Sequence, residues 1–114
     1  MLDKLLSKNK RVTTVKRLKY LKEVFHLYQI NVKKRDSLKK YLIKNSVDAK
    51  VHYPIPIHLQ NAAKYLKYKR GDFPIAEKMA NTSLSLPVHE FINKRHVEYM
   101  VHLINKFYSK KITN

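Results

Sequence analysis

The apolar positions of this chain change period several times along its length. Residues 24–32, VFHLYQINV, are rich in β-branched and aromatic side chains, which predicts a strand. Phe25, Leu27 and Gln29 share one of its faces; His26, Tyr28, Ile30 and Val32 share the other. Apolar groups on both faces place this strand inside a sheet, and His26 reads as a hydrogen-bonded structural histidine. Leu38, Tyr41 and Leu42 recur at i, i+3 and i+4, the stripe of an amphipathic helix. Asp36 is its expected N-cap, and Asn45 or Ser46 its end. DAKVHY, residues 48–53, predicts a short strand with Ala49, Val51 and Tyr53 on one face.

Pro54 and Pro56 remove two amide donors, so PIPIHLQ (54–60) is a stiff extended loop and not a central strand or a helix. A short helix over 62–66 follows, then the turn KYKRGD around Gly71. Pro74 suits the first turn of another helix, with Asp72 near its positive end. Ile75, Ala76, Met79 and Ala80 are expected to face inward from it. SLSLP (83–87) has a period of two and predicts a strand. The last helix starts with Asn93 as N-cap, and Val97, Met100, Val101, Ile104, Phe107 and Tyr108 form its apolar stripe.

Residues 1–23 read less simply. Leu2, Leu5 and Leu6 have helical spacing, as do Val15, Leu18 and Leu21, but the β-branched group Val12–Val15 weakens a continuous helix. The segment is taken as a basic helical lead-in, suited to a membrane surface or to docking on a partner domain. The chain then divides into this lead-in (1–23), a domain over 24–108 and a frayed polar end over 109–114. The order βαβ-αα-βα gives about three short strands packed with helices, an α+β two-layer domain.

Composition narrows the function. The 114 residues suit one domain, and an apolar share of 44% separates the chain from a disordered basic tail. Lys plus Arg is 25 against 8 for Asp plus Glu, a net charge of +17. The bases are spread along the chain and are mostly lysine. That suits solvated faces better than base reading, where bidentate Arg contacts are favoured. Non-specific, salt-sensitive attraction to polyanions follows from the charge alone. The lack of cysteine excludes a disulfide scaffold, a thiolate metal site and a Cys nucleophile. No apolar run reaches the roughly 18 residues of a membrane span, and the first residues lack the apolar core of a signal peptide. A cytoplasmic protein without membrane insertion is expected. Gly71 is the only glycine, whereas phosphate-cradling loops use several.

Six histidines raise the question of a metal. His52 and His58 flank a proline-stiffened loop, and His96 and His102 are not an i, i+4 pair, so no ligand set emerges. No nucleophile elbow, Walker loop or zincin motif occurs. The informative stretch is Lys50–Gln60. His52, Tyr53, His58 and Gln60 offer polar tips on a backbone that Pro54 and Pro56 keep rigid. A rigid loop of this kind makes a good substrate wall, because little entropy is lost on binding. The same residues also suit a plainer role, in which the prolines carry the chain across the surface and the histidines bond locally.

HYPIPIHLQ, the spaced run KYKRGDFPIAEKMANTSLSLPVHE and the preceding HLYQINVKKRDSLKKYL together resemble the C-terminal part of the DegT/DnrJ/EryC1/StrS family. These are pyridoxal-phosphate-dependent sugar-nucleotide aminotransferases. The resemblance runs from about Val24 to Tyr108. Ser46 departs from a common helix-ending glycine and Asn61 from a usual proline. The resemblance implies the small C-terminal domain of a fold-type I enzyme that is a homodimer in the family. The implied reaction moves an amino group from an amino acid such as glutamate to a keto sugar nucleotide, for polysaccharide or glycan synthesis. It also implies that HYPIPIH lines the sugar pocket, with His52, Tyr53, His58 and Gln60 on the substrate side.

The family's larger N-terminal domain carries the internal-aldimine lysine, the aspartate at the pyridine nitrogen and the phosphate loop. None of these has a matching position here, so no catalytic or cofactor-binding residue is carried over. The chain by itself is expected neither to bind pyridoxal phosphate nor to transaminate. Two other readings stand beside this one: a stand-alone basic nucleic-acid-binding module, and a non-functional remnant of a split aminotransferase.

Overall fold

In the computed structural model, which describes residues 1–109, three antiparallel strands form one sheet in the order β1 (Val12–Thr14), β2 (Tyr28–Val32), β3 (Ser83–Leu86). Four α-helices, α1 (Leu2–Leu6), α2 (Arg35–Lys44), α3 (Pro74–Thr82) and α4 (Lys94–Ser109), pack around it. The register sets Val12 opposite Val32, Ile30 opposite Leu84 and Tyr28 opposite Leu86. These apolar residues therefore share one face. α1, α2 and α4 cover it, and Leu6, Ile30, Leu38, Leu42, Leu84 and Ile104 are fully buried there. Each such side chain contributes about 1.5–3 kcal/mol by leaving water.

The opposite face is polar. Gln29 stands opposite Ser85, and Asn31 opposite Ser83. Ser83 and Ser85 are buried in spite of their hydroxyls. The Asn31 side-chain oxygen accepts from the hydroxyls of Ser83 (3.0 Å) and Thr82 (3.2 Å). Arg35 is buried against the end of α3, where its Nη1 donates to the carbonyls of Ala80 and Ser83, each at 2.9 Å. Buried polar groups are stable only when bonded in this way, so the face has a fixed arrangement.

The amphipathic patterns of α2 and α4, the interior position of β2 and the strand at SLSL all match the periods in the sequence. Asn93 caps α4: its Oδ1 accepts from the His96 amide at 3.1 Å. Elsewhere the structure differs from the sequence pattern. β2 begins at Tyr28, not at residue 24; Val24 is exposed and Phe25 has a φ of 50°. His26 is exposed and takes no structural hydrogen bond among the described residues. Residues 48–53 make one bridge, Lys50 to Ser85, and no strand. Asp36 does not cap α2: the helix starts after Lys34, and the Asp36 carboxylate pairs with Arg35 Nε at 2.7 Å. Ile75, Ala76 and Met79 are exposed, leaving Ala80 as the buried residue of α3.

The helical reading of 1–23 holds over Leu2–Leu6 only; Val12–Thr14 joins the sheet instead. The 62–66 helix is a 3-10 helix over Asn61–Leu66. In the stretch that links β1 to β2, Arg17 bonds to Asp3 (3.4 Å) and Glu23 (2.6 Å) and lies over the rings of Phe25 and Tyr28. The Tyr28 hydroxyl donates to Asp3 at 2.6 Å. Burial works to raise the Asp3 carboxyl, but the hydrogen bonds from Tyr28 and Arg17 outweigh it and hold it below its ordinary value. Beyond Ser109, the frayed end expected over 109–114 lies outside the described residues.

Candidate functional site

The loop after α2 is fastened to the polar face of the sheet. Lys50 and Ser85 exchange backbone hydrogen bonds at 2.8 and 3.0 Å. Two residues on, His52 Nδ1 meets the Ser85 hydroxyl at 3.0 Å, and the His52 carbonyl accepts from Gln29 Nε2 at 3.3 Å. The His52 imidazole is thus fixed through one nitrogen, which leaves Nε2 for a ligand. The Tyr53 ring stands edge-on to His52, with 5.6 Å between centroids, and is 72% exposed. Gln60 Nε2 donates back to the Ile55 carbonyl at 3.1 Å, closing the Pro54–Pro56 segment and leaving the Gln60 oxygen as an acceptor.

His58 behaves differently. It sits in a 3-10 turn over Ile57–Leu59 and is only 9% exposed. Its Nε2 lies 3.1 Å from Glu77 Oε1 on α3, and the same oxygen accepts the Gly71 amide at 2.7 Å. The Gly71 amide, with His58 adding to it, holds the Glu77 carboxyl below its ordinary value. The His58 ring packs on Phe73 at 4.8 Å, and Phe73 meets Tyr68 edge-on at 4.9 Å. Gly71 takes a φ of +99°, a conformation that other residues rarely adopt. Its amide is thereby aimed at Glu77, so the only glycine serves a carboxylate.

Together these residues border a largely apolar groove of about 490 Å³ between the loop and α3. His52, Tyr53, His58 and Gln60 all line it. The structure therefore brings the four sequence-selected residues to one place, three at its rim and His58 below. Gln29, Phe73, Met79 and Ser83 also line it and were not selected from the sequence, and neither were Ser85 and Glu77, which hold the two histidines. A signal for the sheet residues exists: polar side chains alternate in both YQINV and SLSL, so two strands present matching polar positions. Glu77 gives no such signal, because only the fold brings it to His58.

No lysine and no carboxylate lines this groove, and every buried side-chain polar atom among the described residues is already bonded. The groove therefore does not fit a pyridoxal phosphate, which needs an amine in a desolvated pocket and donors for its phosphate. Among the described residues no three potential metal ligands cluster, and no helix is long and apolar enough to cross a membrane.

The sequence profile of the DegT/DnrJ/EryC1/StrS aminotransferase family matches residues 1–105. A pleiotropic regulatory protein from Geobacillus stearothermophilus is 39% identical over 97 residues, which is 85% of this chain and 26% of that protein. The dTDP-3-amino-3,6-dideoxy-alpha-D-galactopyranose transaminase of Aneurinibacillus thermoaerophilus is 33% identical over 84 residues, 74% of this chain and 23% of that enzyme. The crystal structure of S. venezuelae DesV in complex with a ketimine intermediate superimposes with a TM-score of 0.88 at 22% identity, over 97% of this chain and 30% of that one. This chain thus spans about a quarter of the length of the curated relatives it matches. By the family profile, and with the fold it shares with that structure, the chain belongs to the DegT/DnrJ/EryC1/StrS aminotransferase family.

Proposed function

We propose that this chain is the substrate-side domain of a cytoplasmic sugar-nucleotide aminotransferase and that the groove between the 52–60 loop and α3 forms one wall of the sugar site. The observation that carries the reading is the convergence of His52, Tyr53 and Gln60 at the rim of one apolar groove. Each keeps one polar atom with no hydrogen bond among the described residues: the second imidazole nitrogen, the phenol and the amide oxygen. Sugar hydroxyls both donate and accept, so such a set orients a sugar ring against the apolar floor. His58 supports from below by holding the loop to Glu77.

The rim is also unusually apolar for a surface. Ile57 is 79% exposed and Ile55 52%. A patch of this kind suits a covering partner, and the rest of an aminotransferase fold is the natural one, given the share of the relatives that this chain spans. Pyridoxal phosphate, when bound by such a partner, supplies the amino-carrying chemistry. This chain contributes sugar orientation and water exclusion.

A hybrid tests the reading. This chain replaces the matching stretch of the Aneurinibacillus transaminase, and amino transfer is measured with that enzyme's own substrates. The expected result is an active hybrid in which His52→Ala or Gln60→Ala raises KM for the sugar nucleotide roughly 3- to 10-fold, the loss of one hydrogen bond. KM for the amino donor stays constant. A folded but inactive hybrid, or sugar kinetics indifferent to both substitutions, refutes it.

A further inference from the structure

A second groove, of about 760 Å³, reaches from the polar face of the sheet at Thr13 and Asn31 round to α2 and α4, with the other flank of α3 on its border. α3 gives Ala76, Met79 and Ala80 to the first groove and Lys78 and Thr82 to the second. Lys10, Arg11, Lys33, Lys34 and Lys78 line the second groove, and no acidic side chain does. None of the five is in an ion pair among the described residues. Like charges gathered without a counter-charge repel one another, and a bound anion relieves that repulsion.

The groove is braced as well as charged. The Tyr108 hydroxyl donates to the Lys33 carbonyl at 2.6 Å, and the Tyr108 carbonyl accepts from Arg11 Nη1 at 3.1 Å. The Arg11 guanidinium lies 5.7 Å from the Tyr108 ring centroid. One residue thus fixes both the β2–α2 turn and the arginine across from it. Arg11 keeps further N–H donors, whose planar fork suits phosphate oxygens. The Asn31 oxygen accepts from the Ser83 hydroxyl, so its NH₂ is the part left for a ligand. The α2–α4 side is aromatic: Tyr41 and Phe107 lie 5.5 Å apart, and Phe107 and Tyr108 5.0 Å.

We infer that this groove binds a nucleoside polyphosphate, with its flat ring on the Tyr41–Phe107 wall and its phosphates among Arg11, Lys33, Lys34 and Lys78. The donors are side chains, so the site has no need of a glycine-rich loop. Its size falls within the roughly 300–1,000 Å³ of small-molecule sites and exceeds what a single inorganic anion fills. The site is separate from the sugar wall, and either one stands without the other.

The test is an amide NMR titration of the 114-residue chain with ADP, and separately with inorganic pyrophosphate, at physiological ionic strength. ADP is expected to bind saturably, with shifts centred on Asn31–Arg35, Tyr41 and Phe107. Pyrophosphate binds about fivefold more weakly or worse, the lower end of base–aromatic stacking. The double substitution Lys33→Glu/Lys34→Glu weakens ADP binding about tenfold or more. The charge-matched pair Lys64→Glu/Lys69→Glu, outside the groove, changes it less than about twofold. All four lysines are exposed, so none of the substitutions empties a buried site. Equal losses in the two double variants, equal affinity for pyrophosphate, shifts centred on His52 and Phe73, or no saturation would each overturn the inference. Those results would leave only a general attraction of anions to a basic chain.

Discussion

The two faces of the sheet solve different problems with the same three strands. On one, Tyr28, Ile30, Val32, Leu84 and Leu86 meet three helices and exclude water. On the other, Gln29, Asn31, Ser83 and Ser85 meet a loop and α3 through directed hydrogen bonds. The apolar face tolerates any filling of the right volume, because burial has no preferred direction. The polar face does not, since a misplaced donor there stays unpaired at full desolvation cost. Stability is concentrated on the first face and geometry on the second, where both grooves open.

This contrast can be broken from either side. The largest expected effect is Ile30→Ala, which empties a fully buried site. It should cost about 2–5 kcal/mol in urea unfolding, with the His52–Ser85 contact intact in whatever fraction stays folded. Next is Arg35→Met, which keeps the length but leaves the Ala80 and Ser83 carbonyls without their donor. Hydrogen bonds from a charged group are worth about 1.5–3 kcal/mol, so the loss should approach that of Ile30→Ala. It should also shift the amide resonances of residues 80–83, which Ile30→Ala should disturb less. Arg35→Lys should restore only part, because its ammonium sits on a shorter stem and lacks the Nε–H that pairs with Asp36.

The smallest effect is acid-dependent. The folded Glu77 carboxyl titrates below its unfolded value, so its contribution is complete above the unfolded carboxylate pKa, about pH 4.3. It is lost as pH falls through the lower folded value. Amide exchange at Gly71 should therefore accelerate below about pH 4 beyond the trend of neighbouring amides, once corrected for intrinsic rates. Glu77→Gln should remove that acceleration. A Gly71 amide equally protected at pH 3 and 6 would show that the carboxylate does not hold the turn.

Much of the fold was legible because burial imposes a period. β3, α2 and α4 each show theirs over several residues and appear where the pattern puts them, while β2 appears only over the second half of its predicted span. β1 was hidden because its Val12–Thr14 stretch lies between leucines at helical spacing, and pairing with a strand this far along the chain leaves no local mark. The opposite error occurred at 48–53, where alternation was real but the chain leaves the sheet after one bridge, just before two prolines that cannot donate. α3 misled in an instructive way. Its apolar stripe exists, yet Ala76 and Met79 line an open groove and Ile75 is exposed, so none of the three meets the core. Periodicity reports that a face is apolar and says nothing about what covers it. The loop was legible as a site because rigidity and polar tips sit together in sequence. Its supports, Ser85 and Glu77, lie far along the chain and had no reason to be paired with it in advance.

The Arg17 clasp has a consequence in chain statistics. Residues 15–27 connect two antiparallel neighbours by a path with a single internal backbone hydrogen bond, from the Leu21 amide to the Leu18 carbonyl. Left loose, that path must give up its freedom when the strands pair. By fixing Arg17 to Asp3 at one end and to the rings of Phe25 and Tyr28 at the other, the clasp splits one long closure into shorter ones. Closure entropy grows only logarithmically with length, so halving a loop is worth only about 0.6 kcal/mol. The gain is therefore less in how firmly the strands hold than in where the connection runs: it is drawn along the α1 edge, clear of the face on which the two grooves open.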